Sequence, residues 1–122
     1  MERRVRRIRS YEQFRDAING CPYVMLNAGQ KYCGPCIEMT NVFEKASEKY
    51  SADFIEWYNV DLDEVPKIGM DLRTENIPNI AIYRNGKLVA VEVGSTTLFG
   101  LETFMEKHFD HESFARIRAT LY

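Results

Sequence analysis

Two cysteines three positions apart, in Cys33-Gly34-Pro35-Cys36, constrain this chain more than any other feature. They fall where an apolar run, Tyr23-Val24-Met25-Leu26, gives way to a helix-like stretch reaching about Tyr50. That order asks for a strand, a turn and a helix that opens on the first thiol. A helix N-terminus carries free N–H groups and partial positive charge, both of which stabilise a thiolate. The spacing also lets the dithiol close into a disulfide and reopen. Cys33 then reads as the exposed nucleophile and Cys36 as the resolving thiol, one helical turn deeper. The alternative is half of a zinc site, but zinc asks for four ligands. Only Cys21, His108 and His111 remain to supply them, and neither histidine has finger-like spacing.

Composition narrows the classes further. A chain of 122 residues is long enough for one domain with its own hydrophobic core. A net charge of −2 gives no general attraction to nucleic acid or to an anionic membrane. No apolar run approaches the roughly 20 residues of a membrane helix. The basic N-terminus is not followed by an apolar segment, so no secretory signal is expected, and a disulfide framework is not expected either. The expected compartment is the cytoplasm.

Arg3, Arg4, Arg6, Arg7 and Arg9 crowd the start of the chain around Val5 and Ile8. This pattern predicts a short edge strand kept soluble by charge, with a basic docking arm as the alternative. Ser10 and Gln13 form a capping-box pattern before Tyr11, Phe14 and Ile18, and Asn19-Gly20 supplies a stop. Strands are predicted at Tyr23 to about Ala28 and at Phe54 to Asp61, the latter apolar on both faces. A short helix is predicted over Val65 to about Leu72. Strands Ile80 to Tyr83 and Lys87 to Val93 are joined by Asn85-Gly86, a strong hairpin signal. Leu98, Leu101, Met105 and Phe109 mark a last amphipathic helix. The order βαβαβαββα predicts an α/β fold, a mixed sheet of about five strands with helices on both faces. Beyond Asp110, Phe114, Ile117 and Leu121 recur at helical spacing. They predict either an added helix, packed on the domain or docking a partner, or a frayed tail.

With these elements in place the chain resembles the thioredoxin family over roughly residues 3–109, nearest to its eukaryotic cytosolic members. Cys33-Gly34-Pro35-Cys36 stands at the family's active site, Ile77-Pro78 at its cis-proline, and Asn85-Gly86 and Gly94 at further family positions. The resemblance implies a thioredoxin domain over residues 1–109 with an extension over 110–122. It implies a protein-disulfide reductase that works as a monomer without a cofactor beyond the reversible Cys33–Cys36 disulfide. Partners implied are disulfide-containing targets and thioredoxin reductase or another dithiol donor. The competing class is a thioredoxin-fold interaction protein that docks a partner through the extension or the basic strand.

The site residues implied are Cys33, Gly34, Pro35 and Cys36 for catalysis, and Tyr32, Ile77, Pro78 and Gly94 for substrate. Asn27 stands where the family has a buried aspartate that assists proton transfer at the resolving cysteine. Trp57 is taken as standing where the family has the lysine near that aspartate. Tyr32 replaces the tryptophan before the motif and is expected to shield the pair; Ile37 replaces the lysine after it. Cys21 is expected to be a buried apolar residue rather than a third redox centre.

Overall fold

Pairing along Tyr23–Gly29 organises the molecule, as a computed structural model describing residues 4–119 makes plain. Strand β1 (Val5–Ile8), helix α1 (Tyr11–Asn19), strand β2 (Tyr23–Gly29) and helix α2 (Gly34–Lys49) come first. Strand β3 (Ile55–Asp61), helix α3 (Pro66–Leu72), strands β4 (Asn79–Arg84) and β5 (Lys87–Val93), and helices α4 (Leu98–His108) and α5 (His111–Ala119) follow. The sheet order is β1-β3-β2-β4-β5. β1, β3 and β2 run parallel, whereas β4 is antiparallel to β2 and β5 to β4. This is the five-stranded mixed sheet, parallel in its first part and closed by an antiparallel hairpin, expected from the element order.

Strand alternation sends successive side chains to opposite layers. Tyr23 and Met25 join Met39, Phe43, Trp57, Leu101 and Met105 on the face covered by α2 and α4. Val24, Leu26 and Ala28 join Phe14, Ile18, Val60, Ile68 and Tyr83 on the face covered by α1 and α3. With both faces covered, the central strands are apolar on both alternating sets. β1 lies at the sheet edge, with Val5 in the first layer and Ile8 in the second. Its exposed Arg6 and Arg7 pair with Glu56 and Glu64 at 3.0 and 3.1 Å. Such half-exposed pairs blunt an edge more than they stabilise it. Arg3 lies outside the described residues.

Local signals are met with small changes. Ser10 Oγ accepts from the Gln13 N–H at 3.1 Å, while Gln13 Oε1 accepts from Arg9 rather than from the cap residue itself. Asn85 and Gly86 take positive φ values of 51° and 81° in the β4–β5 turn. A Cβ at Gly86 would also press on the end of the exposed Asn19 side chain, which would have to turn aside.

Past α4 the chain turns into α5. Asp110 accepts from the Ser113 N–H at 2.8 Å, as an N-cap side chain does, and from the Tyr23 hydroxyl at 2.7 Å. Phe114 stacks on Tyr50, and Ile117 is fully buried in the first layer. Residues 111–119 therefore pack on the domain as a helix. Leu121 lies outside the described residues.

Candidate active site

The strand-to-helix junction is built on the Cys33 backbone. Cys33 is extended, with φ −122° and ψ 106°, and forms the N-cap of α2, whose first turn contains Pro35. A proline there costs no helical hydrogen bond. Cys33 Sγ accepts the Cys36 N–H at 3.2 Å, an amide it shares with Cys33 O at 3.1 Å, so a first-turn amide of the helix points at this sulfur. Cys33 and Cys36 are joined as a disulfide with a Cα separation of 5.2 Å. Cys33 is half-buried at the rim and Cys36 is 6% exposed beneath it. No acidic residue lies in the first turn of α2 to oppose a thiolate.

Sheet register gathers the other candidates at the same end. Ala28 pairs with Asn79, so Pro78 stands beside the end of β2, just before the cysteine turn. The Ile77-Pro78 peptide is cis. Gly94, with φ 96°, donates its N–H to Pro78 O at 2.7 Å, which draws the end of β5 against the proline. Asn79 is fully buried and donates to Asn76 O at 3.0 Å, pinning the loop that precedes Pro78. Tyr32 differs from the shield expected of it. Its side chain is 93% exposed, beside the Lys31 ammonium and off the sulfur pair. Ile37, 63% exposed, makes the rim apolar after the motif.

The register of β2 and β3 adds a residue beside Asn27 that the sequence reading did not name. Asn27 pairs with Asn59, and Trp57 pairs with Met25, two residues away. Asn27 donates to Asn59 Oδ1 at 3.0 Å and to Thr40 Oγ1 at 3.4 Å. Thr40 in turn donates to Cys36 O at 2.9 Å. Trp57 packs edge-on against Phe43 in the core. The residue facing Asn27 is thus a second amide, so the buried site carries no charge pair at all. The sequence shows Asn59 as an amide within the β3 run Ile55-Glu56-Trp57-Tyr58-Asn59-Val60 but not that it faces Asn27, which only the register decides.

A groove with a cavity volume of 1080 Å³ runs between β1, β3 and α2 and ends on Cys36, Asn27, Thr40 and Asn59. Cys21 is elsewhere, buried in the second layer, where desolvation pushes its thiol up. Among the described residues no three His, Cys, Asp or Glu side chains converge as a metal site. His108 lies half-buried against the Phe104 ring and His111 is exposed. No described helix is long and apolar enough to cross a membrane.

Comparison with known proteins agrees with this geometry. The family profile for thioredoxin matches residues 6–107. Thioredoxin from Malassezia sympodialis is 32% identical over 88 residues, covering 72% of this chain and 84% of that protein. Thioredoxin-1 from Saccharomyces cerevisiae is 32% identical over 92 residues, covering 75% and 86%. The crystal structure of the Malassezia sympodialis thioredoxin superposes with a TM-score of 0.76 at 30% identity, over 85% of this chain and 90% of that one.

Proposed function

The chain belongs to the thioredoxin family, and from that premise we propose that Cys33 attacks target disulfides and Cys36 resolves the product. It is a thiol–disulfide oxidoreductase that reduces protein disulfides through this cysteine pair. In the first step Cys33 Sγ bonds to one target sulfur, and the other target sulfur leaves as a thiolate. Cys36 Sγ then bonds to Cys33 Sγ, the second target sulfur leaves, and two electrons have passed to the target. The observation that carries the order of attack is the Cys36 N–H held on Cys33 Sγ at the helix N-terminus. A hydrogen bond to the charged form lowers a pKa, which favours Cys33 as the thiolate.

Tyr32, Ile77, Pro78 and Gly94 form the docking rim in this reading, supported for the last three by their convergence beside the end of β2 and for Tyr32 by its exposed place next to Cys33. Gly34 and Pro35 shape the turn. Asn27 tunes the resolving thiol with Asn59 and Thr40. Target disulfides and thioredoxin reductase or another dithiol donor are the partners, and the working unit is a monomer in the cytoplasm. The couple itself is all the redox chemistry the reaction needs. Residues 1–109 form the catalytic domain and residues 110–122 an extension, supported by the packing of Phe114 and Ile117 on the core.

Trapping tests the assignment. Cys36→Ser should accumulate mixed disulfides with target proteins through Cys33, and Cys33→Ser should lose both trapping and insulin reduction. A Cys33→Ser protein that reduced insulin at the wild-type rate would end this reading.

A further inference from the structure

Asn79, the first residue of β4, is fully buried yet hydrogen-bonded at only one end of its amide. Its Nδ2 donates to Asn76 O at 3.0 Å, while its Oδ1 has no hydrogen-bond partner among the described residues. A buried acceptor left unpaired costs more than one ordinary hydrogen bond contributes. Asn76 is exposed, so water could serve its carbonyl equally well. Stability therefore gives no reason for an amide at this position. What the amide does to the loop before Pro78 does give one.

The peptide joining Asn76 to Ile77 is trans, so the Asn76 carbonyl and the Ile77 N–H point in opposite directions. Asn79 holds the carbonyl toward its own buried side and so turns the Ile77 N–H away from it. The neighbouring backbone groups are already committed. The Asn76 N–H donates to Thr74 Oγ1 at 3.1 Å, Pro78 has no N–H, and Pro78 O accepts from the Gly94 N–H at 2.7 Å. The Ile77 N–H has no partner among the described residues. It is a free donor on the residue before Pro78, which stands beside the end of β2 and the cysteine turn.

We propose that Asn79 is a positioning residue for target recognition, fixing the Asn76–Ile77 peptide so that the Ile77 N–H meets a backbone carbonyl of an extended target segment. The role rests on the reductase reading, in which Ile77 belongs to the docking rim, and names what holds that part of the rim. A peptide group oriented beforehand need not be ordered when the target arrives, which favours binding without any new contact. Recognition through the main chain depends little on target side chains. A disulfide with no peptide carbonyl beside it gains nothing from the arrangement.

Insulin and dithiobis(nitrobenzoate), a small aromatic disulfide without peptide groups, are the two probes. Asn79→Val removes the donor and the unpaired acceptor together and suits a strand. Its kcat/KM for insulin should fall about fivefold further than its rate with the small disulfide, through KM rather than kcat. Equal losses on both substrates, with a lowered melting temperature, would make Asn79 structural only and overturn the proposal. An insulin KM equal to that of wild type would overturn it too. Should Asn79→Val fail to fold, Asn79→Ala is judged by the same difference. A second measurement needs no variant at Asn79. In Cys36→Ser protein trapped through Cys33 with an insulin B-chain peptide, the Ile77 amide proton should exchange at least about tenfold more slowly than in the free protein. An Ile77 amide that exchanges equally fast in both forms would overturn the proposal. A wild type that reduces neither substrate sinks the reductase reading instead.

Discussion

At the scale of single residues, the amide pair Asn27–Asn59 most distinguishes this site. Asn27 is 5% exposed and sits two hydrogen bonds from the Cys36 carbonyl through Thr40. An aspartate at this position would find an amide where a cation is needed, and burial raises a carboxyl pKa. With its folded pKa above the unfolded value near ~3.9, the penalty is absent in acid, where the carboxyl is protonated in both states. It grows as pH rises through the unfolded pKa and is complete above the folded one. Asn27→Asp should therefore cost about 2 kcal/mol at neutral pH, tempered by the adjoining groove, and almost nothing near pH 3. Adding Asn59→Lys should restore much of the loss, as thermal unfolding of both variants against pH would reveal. The new carboxylate should also raise the titration of the dithiol, followed by thiolate absorbance. An equal melting-temperature loss at pH 3 and pH 7 would count against a charge effect. The dithiol and its proline were legible in the sequence, because their chemistry is written in residue type and spacing. Asn59 was not, because strand register decides which side chain faces Asn27, and a two-residue offset keeps the same face of the sheet.

At the scale of elements, α5 shows how an ambiguous tail becomes structure. Helical spacing of Phe114 and Ile117 indicates an apolar face but not where it goes. Tyr50, Phe109 and Tyr23 settle that by offering an aromatic seat, with Asp110 as the fastener. Among the described residues of α5, Phe114 and Ile117 are buried in the domain itself and so are not offered to a partner, and nothing else favours the interaction-protein reading. Asp110 is held down to about 2 by the Ser113 N–H first, then by the Tyr23 hydroxyl, with Arg84 contributing. Its folded pKa lies below the unfolded one, so its contribution is present above about pH 4 and is lost as pH falls toward 2. Asp110→Ala should cost about 1–2 kcal/mol at neutral pH, a typical N-cap loss. The gap between variant and wild type should narrow steadily below pH 4 in chemical denaturation. A gap independent of pH would assign the loss to packing rather than to the carboxylate.

At the scale of the whole molecule, a mixed sheet with a core on each face brings distant segments to one end. The cysteine turn after β2, the cis-proline before β4 and Gly94 after β5 meet there because β2 and β5 both flank β4. Element order made this architecture readable in advance, since two parallel crossovers and a closing hairpin leave few other ways to cover both faces. The groove was not readable, because it depends on a missing side chain at Gly29 meeting α2 across the layer. The central claim is that the assembled couple drives electrons into protein disulfides. Its most direct test is the reduction potential of Cys33–Cys36, measured by equilibration with glutathione redox buffers and quantified by thiol alkylation. A reductase requires a strongly reducing couple, near the ~−270 mV of the family's type protein, a reference value and not one derived from this chain. A potential at or above about −180 mV, where disulfide isomerases and oxidases operate, would contradict the account.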